Sequence, residues 1–227
     1  MQGLRAHRSF PLLNTPHAFL GALQDTLTVA LVAGSLGPAA AGAWGLSLRY
    51  LKAPATLVGG AVSQALYPRL AAAGVADGAG LVGCTAAGRS LVLRTMALLA
   101  LLATPLVIGL WWLAPPLFVW AFGPAWADAG ALAQALALYI GLHFVASPLG
   151  VVTMAWQAQA WALKLALVGQ GVFVAALAAG LAWGGLQTAG WAVSAAMAVY
   201  FGVYFWRLAT WPLAPAGAAP GPLGARA

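Results

Sequence analysis

Long apolar stretches separated by short polar or Gly/Pro-containing segments make up most of the chain. A membrane-spanning helix needs about 20 predominantly apolar residues, and several stretches reach or exceed that length. They predict roughly six spans, at residues 17–35, 39–68, 91–113, 130–155, 159–183 and 188–208. The pattern therefore predicts an all-α, polytopic membrane protein.

The segments between the spans differ in character. Residues 69–89 mix charged residues with Gly and Ala, which indicates a solvated loop with helical extensions. Pro115 and Pro116 are expected to end the third span, because proline removes a backbone hydrogen bond. Residues 114–129 would then form an aromatic connection.

Three regions follow from this division. We expect a cytoplasmic N-terminal segment at 1–16 and a six-helix transmembrane lobe at 17–210. The Pro/Gly/Ala-rich residues 211–227 predict a flexible cytoplasmic tail.

Composition supports a lipid environment, since 63% of the residues are hydrophobic and only 6% are charged. Soluble domains carry about 25% charged residues. The net charge of +7 is dispersed between the spans, which argues against nucleic acid as a partner. Most Lys and Arg fall on the side of the two termini. The positive-inside rule therefore places both termini in the cytoplasm.

Two cations lie inside the second span, Arg49 and Lys52. An ionised side chain at mid-bilayer costs about 2.5–3.5 kcal/mol on insertion scales, so it needs a partner or a hydrated cavity. At helical spacing they share one face with further polar or small residues. This stripe comprises Arg49, Lys52, Thr56, Gly60, Ser63 and Tyr67. It would line a hydrophilic pathway or, alternatively, contact a neighbouring helix.

The first span contains Gln24 and Asp25 near its middle. Asp25 and Arg49 each lie twelve residues from Gly37, which starts the predicted turn between the two spans. Antiparallel helices would place both charges at similar depth, so we expect an ion pair. Asp25 would serve either as a counter-ion or directly in transport.

His143 is the only histidine in the fourth span. A packing role is more typical of such a residue, and a proton relay is the alternative. Catalytic motifs and metal-ligand spacings are absent from the sequence, and Cys84 is its single cysteine. We therefore expect no enzymatic activity, no metal and no cofactor.

Two stretches resemble the second half of bacterial polysaccharide flippases, within the multidrug/oligosaccharidyl-lipid/polysaccharide exporter superfamily. The first, at 8–70, includes Leu-Arg-Tyr-Leu-Lys-Ala-Pro at 48–54 and Ala-Val-Ser-Gln-Ala-Leu-Tyr-Pro-Arg at 61–69. The more specific one is Phe-Gly-Pro-Ala-Trp-Ala-Asp-Ala-Gly at 122–130. Arg49 matches the family's arginine, and Gln64 matches the end of that helix.

The resemblance implies one six-helix lobe in the bacterial inner membrane that translocates lipid-linked sugars in polysaccharide biosynthesis. Family members have two lobes, so the expected partner is a second six-helix lobe or another copy of this chain. The candidate substrate-contacting residues are Arg49, Lys52, Asp25, Gln24, Thr56 and Gln64. A lipid II flippase, an ion-coupled drug antiporter and a non-transporting scaffold of a polysaccharide-assembly complex are the alternatives.

Overall fold

The computed structural model describes residues 9–76, 82–214 and 219–220. Almost all of this part is helical, which confirms the predicted all-α fold. The helices are α1 (Ser9–Leu36), α2 (Pro38–Ala73), α3 (Ala86–Phe122), α4 (Ala127–Ala155) and α5 (Gln159–Ala209). Residues 1–8 of the predicted N-terminal segment and most of the predicted tail lie outside the described residues.

Short elements connect the helices. A 3-10 turn, Pro124–Trp126, joins α3 to α4. Three two-residue strands form a small antiparallel sheet: β1 (Val75–Ala76), β2 (Val82–Gly83) and β3 (Ala219–Pro220). β1 lies in the middle of this sheet. The sequence pattern did not predict these strands.

Within the described ranges, three segments are long and apolar enough to cross a membrane: Ala86–Phe122, Pro124–Ala155 and Gln159–Ala209. The apolar part of α1, Leu23–Leu36, is shorter. α2 is 36 residues long, but its internal cations and polar side chains lower its hydropathy. Length and composition therefore support three spans directly.

α5 is broken near its middle, at Gly184 and Gly185. Gly185 has a φ of 84°, a left-handed conformation that glycine adopts without steric cost. The break separates the helical segments 159–183 and 186–209, hereafter the first and second halves of α5. The sequence pattern had placed a connection here.

Two predicted helix ends were wrong. α1 begins at Ser9 rather than at residue 17. α3 continues through Pro115 and Pro116 and ends at Phe122, where the predicted aromatic connection should have been. A proline inside a helix is tolerated in membranes when a neighbouring group pairs with the freed carbonyl.

α4 is the central helix and packs against α2, α3 and α5, while α1 packs against α2 and α5. In the most apolar window of α4, 67% of the residues are buried, against 17% in α3 and 22% in α5. The outer faces of α3 and α5 expose large apolar side chains such as Leu101 and Val199. Such surfaces suit contact with lipid rather than with water.

Candidate functional site

The polar stripe of α2 lies away from the side of the helix that packs against its neighbours. The buried residues of α2 are Ala41, Trp44, Ser47, Leu48, Leu51, Ala55, Gly59, Leu66 and Leu70. At 3.6 residues per turn, the predicted polar stripe is centred about 100° away from them. We call this stripe the polar face of α2; it comprises Arg49, Lys52, Thr56, Gly60, Ser63 and Tyr67.

Exposure varies along the polar face. Arg49, Thr56, Gly60 and Tyr67 are exposed, whereas Lys52 and Ser63 are half-buried at the edge nearest α4. Gln64, beside the face, is exposed as well. The pattern fits a surface that the lobe presents outward, because only its margin is packed against other helices.

Arg49 and Asp25 do not form the expected ion pair. Both side chains are exposed, and within the described residues neither lies within ion-pairing distance of an opposite charge. α1 and α2 do contact each other. Similar depth on neighbouring helices does not fix helix rotation, so the two side chains need not meet.

Lys52 instead contacts the central helix. Its ammonium lies 5.6 Å from the centroid of the Tyr139 ring, a cation–π geometry. The His143 ring lies 5.9 Å from the same ring and 6.4 Å from that of Phe201. The structure thus brings together Lys52 and His143, which the sequence placed on separate helices without any link. Tyr139 contacts both side chains, but nothing in the sequence distinguished it from an aromatic residue of the core.

The remaining predicted residues hold simpler positions. Gln24 is half-buried and lies one turn before the buried Thr28, whose hydroxyl donates to the carbonyl of Asp25 at 3.0 Å. The hydroxyl of Thr56 donates to the carbonyl of Ala53 at 2.8 Å, within its own helix. A bound ligand would therefore compete with an existing hydrogen bond at Thr56.

A close contact between α2 and α4 fixes the orientation of the polar face. A Cβ on Gly59 would lie 2.8 Å from the Oγ of Ser147, so a larger residue would force the Ser147 side chain to move. The hydroxyl of Ser63 donates to the carbonyl of Pro148 at 3.2 Å. Both contacts anchor the inner side of α2 and leave Arg49 on the outside.

The site shows no metal-binding chemistry. The described residues contain no group of three His, Cys, Asp or Glu side chains placed to hold an ion. The charged groups of the polar face, Arg49 and Lys52, are cationic and have no carboxylate partner in the part of the chain that the structure describes, so the arrangement favours an anionic ligand.

A family profile described as polysaccharide biosynthesis protein matches residues 2–131 of this chain. The chain belongs to the polysaccharide biosynthesis protein family. No curated protein and no solved structure matches it. Membership supports a role in polysaccharide synthesis or export.

The family match covers α1, α2, α3 and the start of α4. It therefore includes the polar face, Asp25 and the 122–130 motif. His143 and α5 lie outside it. The polar face is thus a feature of the family region, whereas the His143 contact belongs to the rest of the chain.

Proposed function

We propose that this member of the polysaccharide biosynthesis protein family is one lobe of a flippase. Its substrate would be undecaprenyl-linked oligosaccharide or a related lipid-linked sugar, carried across the inner membrane. The observation that supports this most directly is the exposed polar face of α2. From Arg49 to Tyr67 it extends about 27 Å, close to the ~30 Å thickness of the hydrocarbon core.

The chemistry of the face suits an anionic, sugar-bearing headgroup. A guanidinium such as that of Arg49 binds diphosphate oxygens through paired, charge-assisted hydrogen bonds. Lys52 would add a second positive charge from the edge of the face. The amide of Gln64 and the hydroxyl of Thr56 offer neutral groups for sugar hydroxyls. Gln24 and Asp25 would contact the substrate from α1.

The proposed topology has six spans, with both termini in the cytoplasm. α1 and α2 supply the two least apolar spans, and the break at Gly184 and Gly185 divides α5 into two. An outward-facing Arg49 is costly against lipid. We therefore propose that a second six-helix lobe, or another copy of this chain, covers the polar face.

An export assay tests the function. Cells that depend on this protein would be complemented with Arg49→Ala, with Asp25→Asn, and with Arg94→Ala as a matched control. Arg94 is an exposed arginine on α3, outside the polar face. We expect Arg49→Ala to lower export of lipid-linked sugar at least tenfold, Asp25→Asn to lower it less, and Arg94→Ala to leave it near normal.

Two results would contradict the proposal. Inactivity of Asp25→Asn with near-normal Arg49→Ala would favour an ion-coupled antiporter. Normal export by both variants, with loss only when the whole protein is deleted, would favour a non-transporting scaffold. Protein levels in the membrane must be matched, so that export rather than folding is compared.

A further inference from the structure

Three buried polar atoms lie outside the polar face and lack a hydrogen-bond partner among the described residues. They are Nε1 of Trp44, Oγ of Ser47 and Oε1 of Gln170. Trp44 is 0% exposed and Ser47 is 1% exposed. Buried polar groups in proteins are nearly always paired, so unpaired ones indicate a bound water or ion.

Ring contacts connect the helices that carry these atoms. The Trp44 ring of α2 meets the Phe173 ring of α5 edge-on, with centroids 6.3 Å apart. Phe173 also packs against Tyr139 of α4, at 5.4 Å. Trp44, Phe173 and Tyr139 therefore border one region inside the lobe, between α2, α4 and α5.

The helix directions place Ser47 and Gln170 on the same side of the Trp44–Phe173 contact. α2 and α4 run parallel, because Lys52 meets Tyr139 and, farther along both helices, Ser63 meets Pro148. The first half of α5 returns antiparallel to α4 after the turn at 156–158.

Ser47 follows Trp44 by three residues, and Gln170 precedes Phe173 by three. Each therefore lies about 4.5 Å from the ring contact, in the same direction along the bundle. The two residues therefore lie at about the same level of the lobe.

All three side chains can donate a hydrogen bond, because the amide of Gln170 carries an NH₂ group as well as its oxygen. The indole N–H of Trp44 only donates, and the hydroxyl of Ser47 donates freely. The oxygen and nitrogen of a glutamine amide are similar in shape and are assigned from hydrogen bonding. With its NH₂ turned inward, Gln170 is a third donor. Three donors without an acceptor match a small anion.

The surrounding charge favours an anion as well. Lys52 contacts Tyr139, which borders the same region. Among the described residues of α2, α4 and α5, Asp128 is the only acid, and it precedes Tyr139 by eleven residues, about 16 Å along α4. Asp25 on α1 is exposed. A nearby cation without a nearby carboxylate attracts anions strongly where water is scarce.

We propose that Trp44, Ser47 and Gln170 form an internal site for a small monovalent anion of the chloride class, which adjoins the polar face only at Lys52. The anion accepts hydrogen bonds from the three side chains and is held by the field of Lys52. It stabilises the packing of α2 against α5, which lack an extensive backbone contact.

Thermal unfolding of the full chain in detergent tests the site. The midpoint would be measured in sodium chloride and in sodium gluconate at equal ionic strength. A ligand that binds only the folded state raises the midpoint, and we expect chloride to raise it by at least about 2 °C. Ser47→Ala, which removes a donor, and Gln170→Glu, which adds a repelling charge, should each abolish most of this shift.

Two control variants locate the effect. Ser63→Ala removes a hydroxyl from the same helix, but that hydroxyl already donates to Pro148. Arg49→Ala removes the exposed cation of the polar face. Both should keep the chloride-dependent shift. Equal midpoints in the two salts, or a shift that survives both Ser47→Ala and Gln170→Glu, would overturn the proposal. Loss of the shift in Arg49→Ala would place the anion on the polar face and overturn it too.

Discussion

The side-chain amide of Gln134 donates a 2.7 Å hydrogen bond to the backbone carbonyl of Trp111, on the neighbouring helix. Pro115 lies four residues after Trp111 and has no N–H, so this carbonyl has no partner within α3. Gln134 supplies from α4 the donor that α3 lacks. The close approach of Gly130 to Pro115 brings the two helices together at this point.

Replacing Gln134 by Leu should destabilise the protein by about 1–2 kcal/mol, because the carbonyl of Trp111 loses its partner in an apolar environment. Denaturant titration in detergent would measure the loss. Pro115→Ala restores an N–H within α3 and should reduce the cost of Gln134→Leu. Strictly additive effects of the two substitutions would show that the hydrogen bond does not compensate for the proline.

The turn between the two halves of α5 depends on Gly180. A Cβ at this position would clash with the backbone of Ala189, so any side chain must push the halves apart. Gly180→Ala should cost about 1–3 kcal/mol, as overpacking typically does. The control is Gly171→Ala on the same half, where a Cβ meets nothing within 4 Å. Equal effects of the two substitutions on the unfolding midpoint would refute this assignment.

Residues 211–214 are held against the lobe, although a flexible tail was expected from residue 211. The Trp211 ring packs against Trp156 and Trp161, with centroids 5.9 and 5.2 Å away. The backbone N–H of Ala214 donates to the carbonyl of Cys84 at 2.8 Å. Aromatic contacts overcome the low intrinsic order of this Pro/Ala-rich segment.

The reactivity of Cys84 measures how firmly residues 211–214 are held, because its side chain beside them is only 3% exposed. Burial raises the pKa of the Cys84 thiol, and the positive charge of Arg89 lowers it only in part. The thiolate is the reactive form. The rate of alkylation by iodoacetamide should therefore rise at higher pH in the folded protein than in the unfolded chain.

Trp211→Ala should speed the alkylation of Cys84 several-fold by loosening the segment above it. Trp206→Ala is the matched control, since Trp206 is 65% exposed near the end of α5, just before the segment. Alkylation that is as fast in the unaltered protein as in Trp211→Ala would show that the segment does not protect the thiol.

The membrane orientation has a direct test in a Cys84→Ala background. A cysteine at Trp120, which is 84% exposed near the end of α3, should react with a membrane-impermeant maleimide from outside the cell. The opposite side of the lobe, where the termini and most Lys and Arg lie, would face the cytoplasm. Labelling of this position from the cytoplasm only would reverse the proposed topology.

Local sequence was sufficient to locate the helices. Apolar runs marked them, and Gly37 marked the turn between the first two. The gap between the last two runs fell where α5 breaks, at Gly184 and Gly185, because this backbone conformation favours glycine. It was not sufficient at Pro115, where continuation of α3 depends on a side chain from α4. From sequence alone, a proline predicts the end of a helix. The prediction changes only when the donor that pairs with the freed carbonyl is known.

For the candidate site, helical periodicity alone determined that Arg49, Thr56 and Tyr67 share a face, since that follows from 3.6 residues per turn. Only the tertiary structure decided where the face points. The contacts of Gly59 and Ser63 with α4 turn α2 so that Arg49 is outward and Lys52 meets Tyr139. The same rotation keeps Arg49 from pairing with Asp25. Spacing along a helix sets which residues are neighbours on its surface, but packing against other helices sets what they contact.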